Sequence, residues 1–437
     1  MWKMLTRKMK YSGIKWIGEI PEDWEIRRLK YTLEERKEKN NPIVTDNILS
    51  LSVKRGIFPY AEKTGGGNKS KSDLTAYKVA HPNDIVINSM NILAGAVGLS
   101  RYMGVVSPVY YTLYTTSEEI NITYYYYLFR TREFQRSLLG LGNGIMMRES
   151  STGKLNTIRM RIPMDKLAGL FLPLPPRRVQ DLIVKSLAKD IKVVNKLINQ
   201  TEQSIKELKK YKQSLITEAV TKGIDPNVEM KDSGIEWIDN IPRHWDIRSI
   251  GNYYFQVKDK NLLSQEENLL SLSYGKIVKR NYHSTDGLLP ANFNNYIIVE
   301  PNDIVLRMTD LQNDHKSLRT GFVNERGIIT SAYIILRPQK NQDFISKFIQ
   351  LFLHSFDIYK GFYGMGSGVR QNVTFNDIKK LKIILPPIIE QKQIIRYLEN
   401  RVSTIDNLIE NKIKVIEELE NYKKSLIYEY ATGKKEV

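Results

Sequence analysis

Cysteine is absent from all 437 residues. That excludes disulfides, zinc–cysteine sites and thiol catalysis, and it agrees with a reducing compartment. Long apolar runs are absent too: none approaches the roughly 18 residues of a spanning helix. The opening MWKMLTRKMK has basic residues without the apolar stretch of a secretory signal. A cytoplasmic protein with no membrane partner is expected. Histidine is scarce, and His81, His244, His283, His315 and His354 show no metal-ligand spacing. A Walker sequence is missing, and no GxGxxG follows a strand-like run. The Asn/Asp-Pro-Pro-aromatic tetrapeptide of amino-methyltransferases is missing as well; the Pro-Pro pairs read Leu174-Pro175-Pro176-Arg177 and Leu385-Pro386-Pro387-Ile388. These gaps leave no catalytic constellation, no metal site and no cofactor on the chain.

Acidic residues are in deficit. Lys+Arg 66 against Asp+Glu 48 leaves a net charge of +18. A polyanion is the first partner that such a balance implies, because basic surface releases counterions when it meets phosphate. A membrane surface is the second. The hydrophobic fraction of 41% suffices for real cores, and the length exceeds one ordinary domain.

What is present is a repetition. Residues 12–27 read SGIKWIGEIPEDWEIR and residues 233–248 read SGIEWIDNIPRHWDIR, with ten of sixteen positions identical at an offset of 221. Leu49-Ser50-Leu51-Ser52 returns at Leu270–Ser273, and Pro82-Asn83-Asp84-Ile85-Val86 at Pro301–Val305. GVVSPVYYTL at 104–113 returns as GIITSAYIIL at 327–336, Gly140–Gly144 as Gly364–Gly368, and Gln180 as Gln391. The drifting offset gives the first copy thirteen extra residues between Gly144 and Gln180, most simply Met147–Met160. The chain is therefore two copies of one long unit, a duplication rather than a solenoid.

Each unit divides in two. The first part is mixed: short β-rich runs at Asp84–Ile87, Val105–Tyr114, Asp303–Leu306 and Ile328–Leu336, punctuated by Gly, Pro, Asn and Asp. Phe344, Phe348, Leu351, Phe352, Phe356 and Tyr359 share one helical face, as the run Tyr124–Phe129 does in its place, and read as core. The second part is a long helix. Ile191, Val194, Ile198, Thr201, Ile205, Leu208, Lys212 and Leu215 alternate in steps of three and four, and Val402, Ile405, Ile409, Lys412, Ile416, Leu419, Lys423 and Leu426 repeat the seam. The two helices are each other's expected partner, antiparallel.

The copies differ after shared landmarks. Following Asp-Ile-Val, the first has Asn88, Ser89 and Asn91 where the second has Arg307, Thr309, Asp310, Gln312 and Asn313. Around the glycines, the first has Asn143 and Arg148 and the second Ser367, Arg370, Gln371 and Asn372. Arg reads guanine edges and Asn or Gln reads adenine; the same types also populate ordinary turns. Lys54, Arg55, Lys63, Lys69 and Lys71, and in the second copy Lys276, Lys279, Arg280, Lys316 and Arg319, are candidate phosphate contacts.

Three features together carry a resemblance. They are the Gly-Ile-x-Trp-Ile entry leading to Ile-Pro-x-x-Trp, the Pro-Pro strand ends before Gln180 and Gln391, and the Tyr-Lys-x-Ser-Leu-Ile-x-Glu segments at 211–218 and 422–429. In these, nearly the whole chain resembles the specificity subunit of type I restriction–modification systems. The resemblance implies an α+β chain of two pseudo-symmetric, mixed α/β target-recognition domains at 10–176 and 224–387. They would be separated by two long helices, 177–223 and 388–433, forming an antiparallel coiled coil. It implies double-stranded DNA, two modification subunits and restriction/translocase subunits as partners. S-adenosylmethionine, ATP and Mg2+ would serve those partners. Each recognition domain would read one half of an interrupted site. From the residues alone, a stand-alone DNA-binding regulator or architectural protein, and a coiled-coil scaffold with basic surface, stay open.

Overall fold

The computed structural model describes residues 7–64, 73–142, 160–280, 292–340, 344–365 and 373–437. Two compact units emerge: Met1–Thr201 with Lys414–Val437, and Glu202–Ile413. The division falls inside both long helices rather than at their ends. Each unit thus owns half of each helix together with one mixed α/β body.

The first unit opens on the tryptophan segment. Met9–Tyr11 pairs antiparallel with Glu19–Pro21, and the turn between them uses Gly13 and Gly18 at positive φ. Trp24 is fully buried, edge-on to Tyr124 with ring centroids 6.5 Å apart; Trp16 meets Phe134 at 5.8 Å. In the second unit Trp245 meets Phe348 at the same 6.5 Å, and Trp237 lies against Phe352 and Phe356. The repeated segment is a packing anchor whose aromatic area fills the core beside a short helix, Ile122–Phe129 or Ser346–Ile358.

The sheets repeat with the same order. Ile85–Asn88 lies between Tyr110–Tyr114 (Ile85↔Leu113) and Val97–Leu99 (Ile85↔Leu99), with Glu34–Glu35 outermost. Ile304–Leu306 lies between Ile334–Pro338 (Ile304↔Leu336) and Thr320–Phe322 (Ile304↔Phe322), with Tyr254–Gln256 outermost. A buried aspartate begins the central strand in each. Asp84 takes a two-pronged ion pair from Arg36 at 2.7 and 3.0 Å, and Asp303 takes one from Arg337 at 2.9 and 2.8 Å. The arginines come from different strands. By the sheet register Arg337 stands where the first unit has Tyr114, and Arg36 lies 4.3 Å over that tyrosine ring.

A hairpin crosses over each sheet: Leu49–Ser52 with Gly56–Pro59, and Leu270–Ser273 with Lys276–Lys279. Close approach demands glycine beneath it. A Cβ on Gly98 would come within 2.8 Å of Ile57, and one on Gly321 within 2.6 Å of Leu272. The second hairpin turns through Tyr274 and Gly275, both at positive φ, as a two-residue primed turn requires.

Each mixed body hands over to its long helix identically. Glu25–Arg28 pairs with Phe171–Leu174, and Asp246–Ser249 with Lys382–Leu385; the Pro-Pro pairs then lead into Arg177–Lys222 and Ile388–Ala431. Gln180 is buried there. Its amide donates to the Pro175 carbonyl at 2.8 Å and its oxygen accepts the Asn121 N–H at 2.8 Å. Gln391 makes the equivalent bonds with Pro386 and Ile345, both at 2.8 Å.

The seam positions of both helices are buried or half-buried. In the first unit Tyr430 donates to Asp190 at 3.1 Å and Lys423 to Asn195 at 3.1 Å. In the second, Lys212 pairs with Asp406 at 2.5 Å. Partners fall along one helix as they rise along the other, so the pairing is antiparallel. An offset of 211 maps Lys212 onto Lys423 and Asn195 onto Asp406, so the two seam lysines are counterparts that each cross to the partner helix.

Candidate nucleic-acid interface

In the first unit the hairpin turn exposes Lys54 and Arg55. Arg55 already has company: it pairs with the Glu62 carboxylate, donates to the Glu62 carbonyl at 3.1 Å and lies 4.0 Å over the Phe58 ring. Lys63 reaches over Tyr60 at 5.1 Å. The side-chain oxygen of Asn88 accepts the Met90 N–H at 3.0 Å, and Asn91 is exposed beyond it. Ser89 requires a correction. It is fully buried, and its hydroxyl donates to the Val109 carbonyl at 2.6 Å. That bond ties the connection to the neighbouring strand and leaves the hydroxyl away from any base.

Beside this hairpin lies a polar cleft of about 390 Å3, lined by Arg55, Glu62, Arg101, Tyr102, Thr123 and Tyr126 among others. Arg130 closes in on it, donating to the Tyr126 hydroxyl at 2.6 Å. Sequence reasoning missed Arg101 and Tyr102. They sit in a turn with no periodic signal, and only the sheet order brings them to the hairpin.

In the second unit the hairpin exposes Lys276, Lys279 and Arg280; Lys279 pairs with Glu325 at 2.7 Å and holds that carboxyl below its usual range. The connection 307–319 dominates the surface. Arg319 is the second correction: a presumed phosphate ligand, it is fully buried. Its guanidinium donates to the Thr309 carbonyl at 2.8 Å, the Asp310 carbonyl at 3.4 Å, the Asp314 carbonyl and the Tyr363 hydroxyl at 3.2 Å. Its backbone N–H goes to the Asp357 carboxylate. A buried guanidinium is costly unless its donors are satisfied; here the loop's own carbonyls satisfy them, so the loop is wound around the arginine.

The remaining loop groups are arranged by that winding. Asp310, at φ 58, accepts from the Asn313 amide at 2.8 Å. Hydrogen bonds from Ser317 hold the Asp314 carboxyl well below the usual carboxylate range, and Arg307 lies 3.6 Å from it. His315 stacks on Tyr363 at 5.1 Å, and its carbonyl accepts from Lys360 at 2.7 Å. Gln312, Asn313 and Lys316 are exposed. Beneath, burial pushes Asp357 up to about 6 and His354 down to about 4. Lys360 and Tyr363 were not legible, because a turn far along the chain brings them to the loop.

Lys69, Lys71, Asn143, Arg148, Ser367, Arg370, Gln371 and Asn372, with nearly all of the insertion 147–160, lie outside the described residues. Among the described residues no cluster of His, Asp and Glu could hold a metal, and no helix is long and apolar enough to cross a membrane.

This doubled basic body, with differing connections on one frame and paired helices, lies on a chain that is similar to the specificity subunits of type I restriction–modification systems. The family model for the type I restriction modification DNA specificity domain matches residues 242–418, within the second copy of the repeat. Across 96% of both chains it is 25% identical to a Methanocaldococcus jannaschii protein named as the type I restriction enzyme MjaX specificity subunit. To that organism's MjaVIII specificity subunit it is 24% identical, over 96% of this chain and 94% of the other. A solved chain from a study of complex assembly and conformational transition of the type I R-M system shares the fold, with TM-score 0.68, 13% identity and coverage of 95% and 99%. So does the HsdS subunit from Thermoanaerobacter tengcongensis, with TM-score 0.51, 16% identity and coverage of 95% and 98%.

Proposed function

We propose that each unit reads one half of an interrupted duplex site, and that the long helices set the gap and dock two modification subunits. The partners then methylate adenine in each half with S-adenosylmethionine; restriction/translocase subunits, joining with ATP and Mg2+, cleave unmodified DNA. The assembly works in the cytoplasm. One observation carries this reading: the same strand frame occurs twice, yet the connection on it differs, residues 88–96 in one unit and 307–319 in the other. A duplicated frame gives two equivalent mounts, and different connections give different half-sites. Nothing observed favours the stand-alone regulator.

The test is a map of methylated adenines in cells making this chain with its modification subunit, against cells lacking the chain. A two-part motif with a fixed unspecified gap is expected. No new methylation, with the partner present and folded, overturns the reading.

A further inference from the structure

Arg319 is an odd residue to find fully buried at the edge of a sheet. The register pairs Leu306 with Thr320 in the second unit and Ile87 with Val97 in the first, which puts Arg319 where the first unit has Ala96. The connection it closes is four residues longer than its counterpart. The shorter connection needs no such brace: it folds through a single 3-10 turn, Ile92–Ala94, and ends on Gly95 at φ 88. The longer one has no regular structure of its own. One guanidinium links its two arms by collecting carbonyls from both, Thr309 and Asp310 on the outgoing side and Asp314 on the returning side. Five N–H donors in a rigid planar fork suit that task, and a lysine ammonium, a flexible point donor, does not reproduce it.

Around the brace the surface is built outward. The hairpin turn packs on the loop, since a Cβ on Gly275 would lie 3.0 Å from Leu318. Lys360 fastens the apex through the His315 carbonyl. Exposed between these fixed points are Asp310, Gln312, Asn313, His315 and Lys316; the two carboxamides match adenine edges and the ammonium matches phosphate. A bidentate contact to a base edge tolerates little displacement, so the side chains that make it need a stiff mount.

We propose that Arg319 is a positioning residue for sequence specificity: it touches no DNA, and it fixes the 307–318 loop so that Gln312 and Asn313 read the second half-site. The inference rests on the proposed division of labour between the units.

The experiment is the methylation map, run with the whole chain and its modification subunit for wild type, Arg319→Lys, Arg319→Met and Gln312→Ala. Wild type must first give a two-part motif; if it gives none, the reading of the function fails and not the brace. Given that motif, Arg319→Lys is expected to relax discrimination at positions of one half by about tenfold, leaving the other half and the gap unchanged. Gln312→Ala should relax the same half. A merely structural role would lower total methylation at both halves alike without changing the motif. Should Arg319→Met fail to fold, a graft replacing 307–319 with the first copy's residues 88–96, which close an equivalent strand pair, is read in its place. Variants that assemble, methylate and keep the second half-site at full stringency overturn the proposal. So would a Gln312→Ala change confined to the opposite half from Arg319→Lys.

Discussion

Single side chains in the second unit pull its acid stability in opposite directions. Burial raises Asp357 from its ordinary 3.8 to about 6. The folded state therefore holds that proton longer than the unfolded one, and stability falls as pH rises from 4 to 6. His354 moves the other way, from 6.5 to about 4, so stability falls as pH drops through the same range. The two effects offset each other in wild type. Asp357→Asn removes one of them while keeping an oxygen for the Arg319 N–H. Denaturation midpoints at pH 4.5 and 7 should show the variant gaining on wild type at the higher pH, by up to about 3 kcal/mol. A difference that is flat with pH contradicts the assignment. None of this was legible from the sequence. Both residues lie on a helix recognised only by its aromatic stripe, and their burial depends on what packs against it.

At the scale of elements, the handover from strand to long helix is the most tightly specified joint. Gln391→Ala removes both the acceptor of the Ile345 N–H and the donor to the Pro386 carbonyl, and should cost about 1–3 kcal/mol by chemical denaturation. A loss below 0.5 kcal/mol, roughly the noise level for surface changes, would mean that the amide is not structural. Gly321→Ala forces a methyl against Leu272 and Ile277 and should cost about 1–3 kcal/mol. Because the hairpin must lift, its methylation motif should also loosen at one half only. The paired helices and the tryptophan anchors were readable because periodicity and exact repetition survive in sequence. The seam from Ile191 to Leu215 lies buried or half-buried at each step. The candidate DNA-facing positions were readable only in part. Gln312, Asn313 and Lys316 are exposed as expected, whereas Ser89 and Arg319 are interior. A polar residue in a variable connection looks the same in sequence whether it faces out to a ligand or in to hold the loop.

For the molecule as a whole, the charge of +18 sets how it meets DNA. Binding of the assembled complex should weaken linearly in log–log terms with salt. Lys54→Ala should reduce the slope by about 1 while leaving the methylated motif intact. A changed motif would promote Lys54 from phosphate contact to base reader; an unchanged slope would remove it from the interface. The seam lysines act at this scale too. Lys212 and Lys423 occupy equivalent positions by the repeat, yet on the facing helix one meets a carboxylate and the other a carboxamide, Lys423 taking its carboxylate from Glu420 on its own helix. The two ends of the helix pair are therefore distinguishable, although the sequence period alone makes them look alike.

The buried aspartate at the head of each central strand carries a lesson for recombination. Its arginine comes from residue 36 in one copy and from residue 337, the counterpart of Tyr114, in the other. An exchange between copies with a breakpoint between residues 36 and 114 would leave one hybrid with two arginines crowding the carboxylate and the other with none. Viable crossovers must carry both strands together, so inheritance of new half-sites is expected to proceed by whole cassettes, with breakpoints before residue 36 and after residue 114.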